Sequence, residues 1–97
     1  MARFDLHRRA GRLLVDVQAD IIPNVGTRLV IPLYARDDAP PSVKRLHPTI
    51  LIEGRPHVLA THLMAAVPIA ELGPIVGSLD DYYDRIVAAI DMIFLGF

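Results

Sequence analysis

The chain has 97 residues, 10 basic and 11 acidic side chains, a net charge of −1, 53 % hydrophobic residues and no cysteine. This charge balance argues against nucleic-acid capture by bulk electrostatics, and the lack of cysteine excludes disulfides, thiolate zinc sites and a cysteine nucleophile. One domain over residues 1–97 is expected, burying about two-thirds of its unfolded surface, with enough apolar surface left over to point to an oligomer interface or a large apolar contact site. The opening Met1-Ala2-Arg3-Phe4-Asp5 has no apolar h-region. The longest stretch without an acid, Lys or Arg, Pro56 to Ala70, is shorter than the roughly 20 residues of a membrane span. A soluble, cytoplasmic protein is expected.

In chain order, Phe4 and Leu6 alternate with Asp5 and His7 before a basic turn at Arg8-Arg9-Ala10-Gly11. Leu13, Val15 and Val17 then alternate with Leu14, Asp16 and Gln18, a period-two strand with a partly polar outer face. Ile21-Ile22 leads into the breaker Pro23-Asn24-Val25-Gly26. Arg28 to Leu33 is apolar on both faces, and Pro32 removes a ladder donor, which predicts a sheet edge or bulge there. Arg36 to Leu46, broken by Pro40-Pro41, reads as a surface loop with one helical turn around Val43–Leu46.

Thr49-Ile50-Leu51-Ile52 and His57 to Thr61 flank Glu53-Gly54-Arg55-Pro56 as a second hairpin, and Val67 to Leu72 reads as a short strand stopped by Gly73-Pro74. Asp80 opens a helix, with Asp80, Asp81 and Asp84 in its first turns where the dipole favours acids. Ile86, Ile90, Ile93, Phe94 and Phe97 form one stripe on that helix. The last turn must therefore bury apolar side chains against its own core, a dimer seam or another protein. Five or six strands closed by one amphipathic helix predict a mainly β, α+β fold, a small, strongly bent sheet or barrel.

Motifs for chemistry are missing. His7, His47, His57 and His62 lack metal-ligand spacing, and His57 and His62 are not expected to converge. Capping explains the Asp80–Asp84 acids. Ser42 and Ser78 lie in no nucleophile elbow, Gly73 and Gly77 make no phosphate loop, and Glu53 and Glu71 do not pair as acid and base.

Val15-Asp16-Val17-Gln18-Ala19-Asp20-Ile21-Ile22, followed by Gly26 and Arg28-Leu29-Val30-Ile31-Pro32-Leu33, closely resembles the second and third strands of the CcdB family of toxins. The resemblance resumes at Pro48, Val67-Pro68, Gly73 and Ala89 to Phe97, and is interrupted by a shorter first hairpin turn and a divergent loop between Ala35 and Lys44. It implies a small SH3-like barrel of the CcdB/MazF type with one C-terminal α-helix. The implied protein is a homodimeric, non-catalytic toxin without a cofactor, metal, direct nucleic-acid contact or membrane. Its partners would be the A subunit of DNA gyrase, trapped on cleaved DNA, and a CcdA-like antitoxin.

The family's gyrase-contacting positions fall on Ile21, Ile22, Asp91, Phe94, Leu95, Gly96 and Phe97. Here Asp91 stands where the family has Asn, Leu95 replaces its Trp and Phe97 its final Ile. Two other readings stand beside this one. The same residues could serve a dimer that has lost poisoning but still binds an antitoxin. A MazF-type endoribonuclease is more remote, because the only Arg-Pro, Arg55-Pro56, sits in the second hairpin. Ile86, Ile90 and Ile93 read as packing, Ile21-Ile22 as either core or recognition, and Leu95 to Phe97 as recognition.

Overall fold

The computed structural model describes residues 2–22, 25–39 and 43–96. The expectations at Pro23-Asn24, Pro40-Pro41 and Phe97 lie outside the described residues. Seven antiparallel strands form one curled sheet: β1 (Asp5–Arg9), β2 (Arg12–Asp16), β3 (Thr27–Ala35), β4 (Thr49–Ile52), β5 (Arg55–Leu59), β6 (Ala65–Pro68) and β7 (Ile75–Ser78). Their order is β4-β5-β3-β2-β1-β7, with β6 also on β3. One helix, α1 (Tyr83–Leu95), follows a 3-10 turn at Asp80–Tyr82. This is the mainly β, barrel-like fold with a C-terminal helix that the sequence predicts. No helix among the described residues is long and apolar enough to cross a membrane.

Two tight turns set the twist. Arg9 pairs with Arg12 and Ile52 with Arg55, so each hairpin turns on two residues. Ala10-Gly11 and Glu53-Gly54 all have positive φ, as a type I′ turn requires, and that turn matches the right-handed twist of the strands it joins. The sheet curls until its edges, β4 and β7, face one another across a cleft of about 200 Å³ bordered by Leu51, Ile52, Val76 and Gly77. Inside the curl lies the main core. Leu13, Val15 and Val17 of the β2 segment pack with Ile31 and Leu33 of β3, Phe4, Leu6, Ile50, Leu59 and Leu79, and Ile86 and Ala89 of α1 close it. The alternate face of β2 and β3 buries Leu14 and Val30 under Leu72.

Several local expectations change in three dimensions. β3 is the central strand rather than an edge. Its residues Thr27–Val30 pair with β6 and Leu33–Ala35 with β5, so Pro32 falls in the gap between two partners. The Pro32 carbonyl accepts from the Ala60 N–H at 2.9 Å on that side, where the absent proline N–H forgoes no ladder bond. The expected Val67–Leu72 strand is shifted: β6 ends at Pro68 and Ile69–Glu71 is a 3-10 turn. β7 escapes the sequence pattern because all four of its residues are exposed and show no alternation. It is recruited by β1, with Leu6 opposite Gly77. Asp80 and Asp81 lie in the 3-10 turn, leaving Asp84 in the first turn of α1.

Gly73 holds the return from β6 to β7. Its φ is +78°, and a Cβ there would run into the carbonyl oxygen of Arg8. The neighbouring Arg8 N–H donates to Pro74 O at 3.1 Å, and the buried His7 holds Gly73 O with Nδ1 at 3.1 Å. Gly73→Ala therefore combines left-handed strain with overpacking, and should lower unfolding stability by at least about 2 kcal/mol. Urea denaturation of the purified variant measures this directly.

Candidate functional site

The segment before Ile21-Ile22 is held by a buried ion pair. Asp16, at the end of β2, is wholly buried, and its carboxylate takes two bonds from Arg28 of β3: Nε at 2.6 Å and Nη2 at 3.1 Å. Asp16 and Gln18 lie two residues apart along an extended chain, so both project from the same face, Asp16 to the Arg28 guanidinium and Gln18 to the neighbouring Leu29 backbone. The Gln18 N–H donates to Asp16 Oδ1 at 3.0 Å, and Arg28 Nη2 reaches Gln18 O at 3.3 Å. The Leu29 N–H donates to Gln18 Oε1 at 3.0 Å. Asp20 adds a carboxylate oxygen 3.9 Å from Arg28 Nη2 and accepts the Arg3 N–H at 2.8 Å. The Asp-x-Gln-x-Asp spacing is thus a docking rail for one arginine. What the sequence presents as a partly polar outer face is a buried polar network.

Beyond the rail the chain turns outward. The Ile22 N–H donates to Ala19 O at 3.1 Å, and on the far side of the loop the Ile69 N–H donates to Gly26 O at 3.1 Å. Ile21 is left 91 % exposed and Ile22 43 % exposed. Neither is core in this chain.

α1 supplies the second candidate segment. Its stripe divides: Ile86 and Ala89 are fully buried and Ile90 packs against the core, whereas Ile93 borders on exposed and Phe94 is 67 % exposed. The helix outruns the sheet it covers. Asp91, Phe94 and Leu95 follow i, i+3, i+4 spacing and share one face, and all three are exposed. Gly96 ends the helix in the left-handed conformation with φ 80°, its N–H donating to Met92 O at 3.0 Å. A residue with a Cβ would be strained there. Asp91 lies near the negative end of the helix dipole, and no basic residue occupies the last turn. Its carboxylate is therefore free to seek a donor outside the helix. Ile21-Ile22 and the last turn of α1 are carried by different elements, the loop after β2 and the helix end.

The histidines are arranged in a way their spacing conceals. His57 Nδ1 turns back to Arg55 O at 3.0 Å and does not meet His62. Instead His62 meets His47, with Nε2 of His47 2.7 Å from Nδ1 of His62. The Val43 N–H donates to His47 Nδ1 at 2.8 Å, so that nitrogen carries no proton and Nε2 is the donor to His62. The backbone closes the same turn, with His47 N–H to Val43 O at 2.8 Å. Among the described residues, no three His, Asp or Glu side chains converge as a metal site.

In fold, the chain is similar to a solved structure titled as a crystal structure of an Mtb toxin. The TM-score is 0.70 at 16 % sequence identity, over 95 % of this chain and 99 % of that one. The family model described as CcdB protein matches residues 3–96, and the chain belongs to the CcdB family. It is therefore a toxin of the toxin–antitoxin class. The Asp16, Gln18, Asp20 and Arg28 positions of the family-like motif are those that build this rail, buried at Asp16 and Arg28 and open to water at Asp20.

Two measurements probe these arrangements. Arg28→Met leaves Asp16 buried without its partner, and should cost about 3–5 kcal/mol in chemical denaturation. Burial first, and then the charge of His62, hold the His47 imidazole below its ordinary value of 6.5. The fold thus favours neutral His47. Its contribution to stability is complete above about pH 6.5 and is lost as pH falls towards the lowered value. His47→Gln should flatten that part of the stability–pH curve, as read from urea midpoints between pH 7.5 and pH 5.

Proposed function

We propose that this chain is a non-enzymatic toxin that binds the A subunit of DNA gyrase and traps the enzyme on cleaved DNA. The observation that carries this reading is the outward-facing Asp91-Phe94-Leu95 face at the end of α1, in a member of the CcdB family. An apolar helix end that is not folded onto its own core suits a surface awaiting a partner. Ile21, Ile22, Gly96 and Phe97 complete the proposed contact set, Phe97 lying outside the described residues. The active form is a homodimer, whose two-fold axis matches two copies of the patch to a two-fold symmetric target. A CcdA-like antitoxin releases and neutralises it. The domain is a single unit over residues 1–97.

Leu95 supports a second reading, a dimer that keeps antitoxin binding without poisoning gyrase. Tryptophan is a frequent hot spot, whose truncation often costs about 2 kcal/mol or more. Leucine fills part of such a pocket but neither stacks nor donates a hydrogen bond.

A cleavage assay with gyrase from the source organism, supercoiled plasmid and ATP distinguishes the two readings. Linear DNA that rises with protein dose and falls on adding antitoxin is the outcome expected of the first. A folded dimer that yields no linear DNA while still binding antitoxin establishes the second. Phe94→Asp should abolish cleavage without unfolding the protein, because Phe94 is mostly exposed. Leu95→Trp should raise potency about tenfold or more, read as the dose for half-maximal linear DNA.

A further inference from the structure

A second concave surface lies at the N-terminal half of α1, against the turn that leads into β4. It encloses about 570 Å³ and is bordered by Lys44, Arg45, His47, Thr49, Arg85 and Ala88. Three of these residues are cations, and among the described residues no acid borders the cleft. Such a concentration is unexpected in a chain whose net charge is −1. Lys44, the only lysine, is one of the three.

We propose that this cleft is a docking site for an acidic segment of a partner protein. Charge complementarity names the occupant: carboxylates set among small or apolar side chains, which would pack on Ala88 while the acids meet Lys44, Arg45 and Arg85. The walls are built in advance. Arg85 is tied by Nη1 to Thr49 O at 3.2 Å, and its guanidinium keeps further N–H groups for a ligand. The opposite wall is the 43–47 turn, stapled by the Val43–His47 bonds and latched to His62 across 2.7 Å. The latch holds Lys44 and Arg45, which lie within the stapled turn, in place. Preorganisation of this kind reduces the ordering cost of binding.

A nucleic-acid strand suits the cleft less well. Single-stranded binding needs a charged groove that tracks the backbone, with aromatic platforms along it. Here Asp81 and Asp84 precede Arg85 and are exposed, so the basic character stops at the helix start. The docking site is independent of the gyrase reading, since it uses none of the terminal patch.

The test is fluorescence anisotropy at low ionic strength with a fluorescein-labelled hexapeptide of alternating Glu and Leu, together with amide shift mapping. Binding should perturb the amides of Lys44, Arg45, Thr49 and Ala88. Lys44→Gln and Arg85→Gln should each weaken it by at least about fivefold, while Arg12→Gln, at the start of β2 and not bordering the cleft, leaves it unchanged. His62→Ala removes the latch but none of the three cations, and should also weaken binding. No binding by the folded protein, shifts mapped elsewhere, or affinity unaffected by Arg85→Gln would each overturn the proposal. A single-stranded oligonucleotide of equal charge that bound more tightly to the same residues would replace the acidic peptide with nucleic acid and overturn it too.

Discussion

The Asp16–Arg28 pair joins the end of β2 to the start of β3, the central ladder from which the sheet extends in both directions. Arg28 opposes Val67 of β6, and β2 carries β1 and β7. Burying both charges is costly and is repaid only when the remaining hydrogen-bonding groups are occupied. The Gln18 backbone does this, its N–H donating to Asp16 and its carbonyl accepting from Arg28, with the Asp20 carboxylate 3.9 Å away. The same network fixes where the extended chain stops. Two residues hydrogen-bonded to one arginine, with Asp20 3.9 Å from it, leave Ile21 and Ile22 at a point where the chain must turn away from the sheet. The exposed pair is therefore a consequence of how the rail is built.

The other end of the molecule shows a mismatch of lengths. The curled sheet offers an opening that Ile86 and Ala89 seal, with Val87 and Ile90 at its rim. A helix that ended there would satisfy the core. α1 continues to Leu95, more than a turn further. Apart from Asp91 its added residues are apolar, yet Phe94 and Leu95 find no cover on the sheet. Apolar side chains held in water on a rigid helix impose little ordering cost on a partner, which is the physical basis for reading the helix end as a recognition element.

The loop after β3 is stabilised differently, by the imidazole of His47 hydrogen-bonded on both nitrogens. His47 accepts a backbone N–H on one nitrogen and donates from the other, an arrangement open only to the uncharged ring. His62, on the 3-10 turn before β6, couples this loop to the part of the chain that α1 packs against. The terminal patch, the exposed isoleucines and the basic cleft thus depend on one frame. They differ in chemistry, two apolar surfaces and one cationic.

Much of this was written locally. Alternation placed β1 and β2, and the breakers at Arg8–Gly11 and Glu53–Pro56 marked two hairpins whose turns close more tightly, on Ala10-Gly11 and Glu53-Gly54. A strand's side-chain period and a turn's φ requirement depend mainly on neighbours along the chain. The helix and its apolar stripe were legible for the same reason, as were the residues of the terminal patch. Partners distant in sequence decided the rest. β7 exists because β1 has a free edge, and Pro32 is tolerated in a central strand because β6 and β5 leave a gap opposite it. Asp16 became a buried ion and His47 found His62, pairings that no spacing rule announces. Where the stripe of α1 stops being core depended on the size of the opening it covers. The sequence alone determined the two hairpins, the helix, the family and the apolar character of the helix end. Tertiary structure decided which polar residues are buried and which apolar ones are left in water, because burial depends on what packs across from a residue and not on the residue itself.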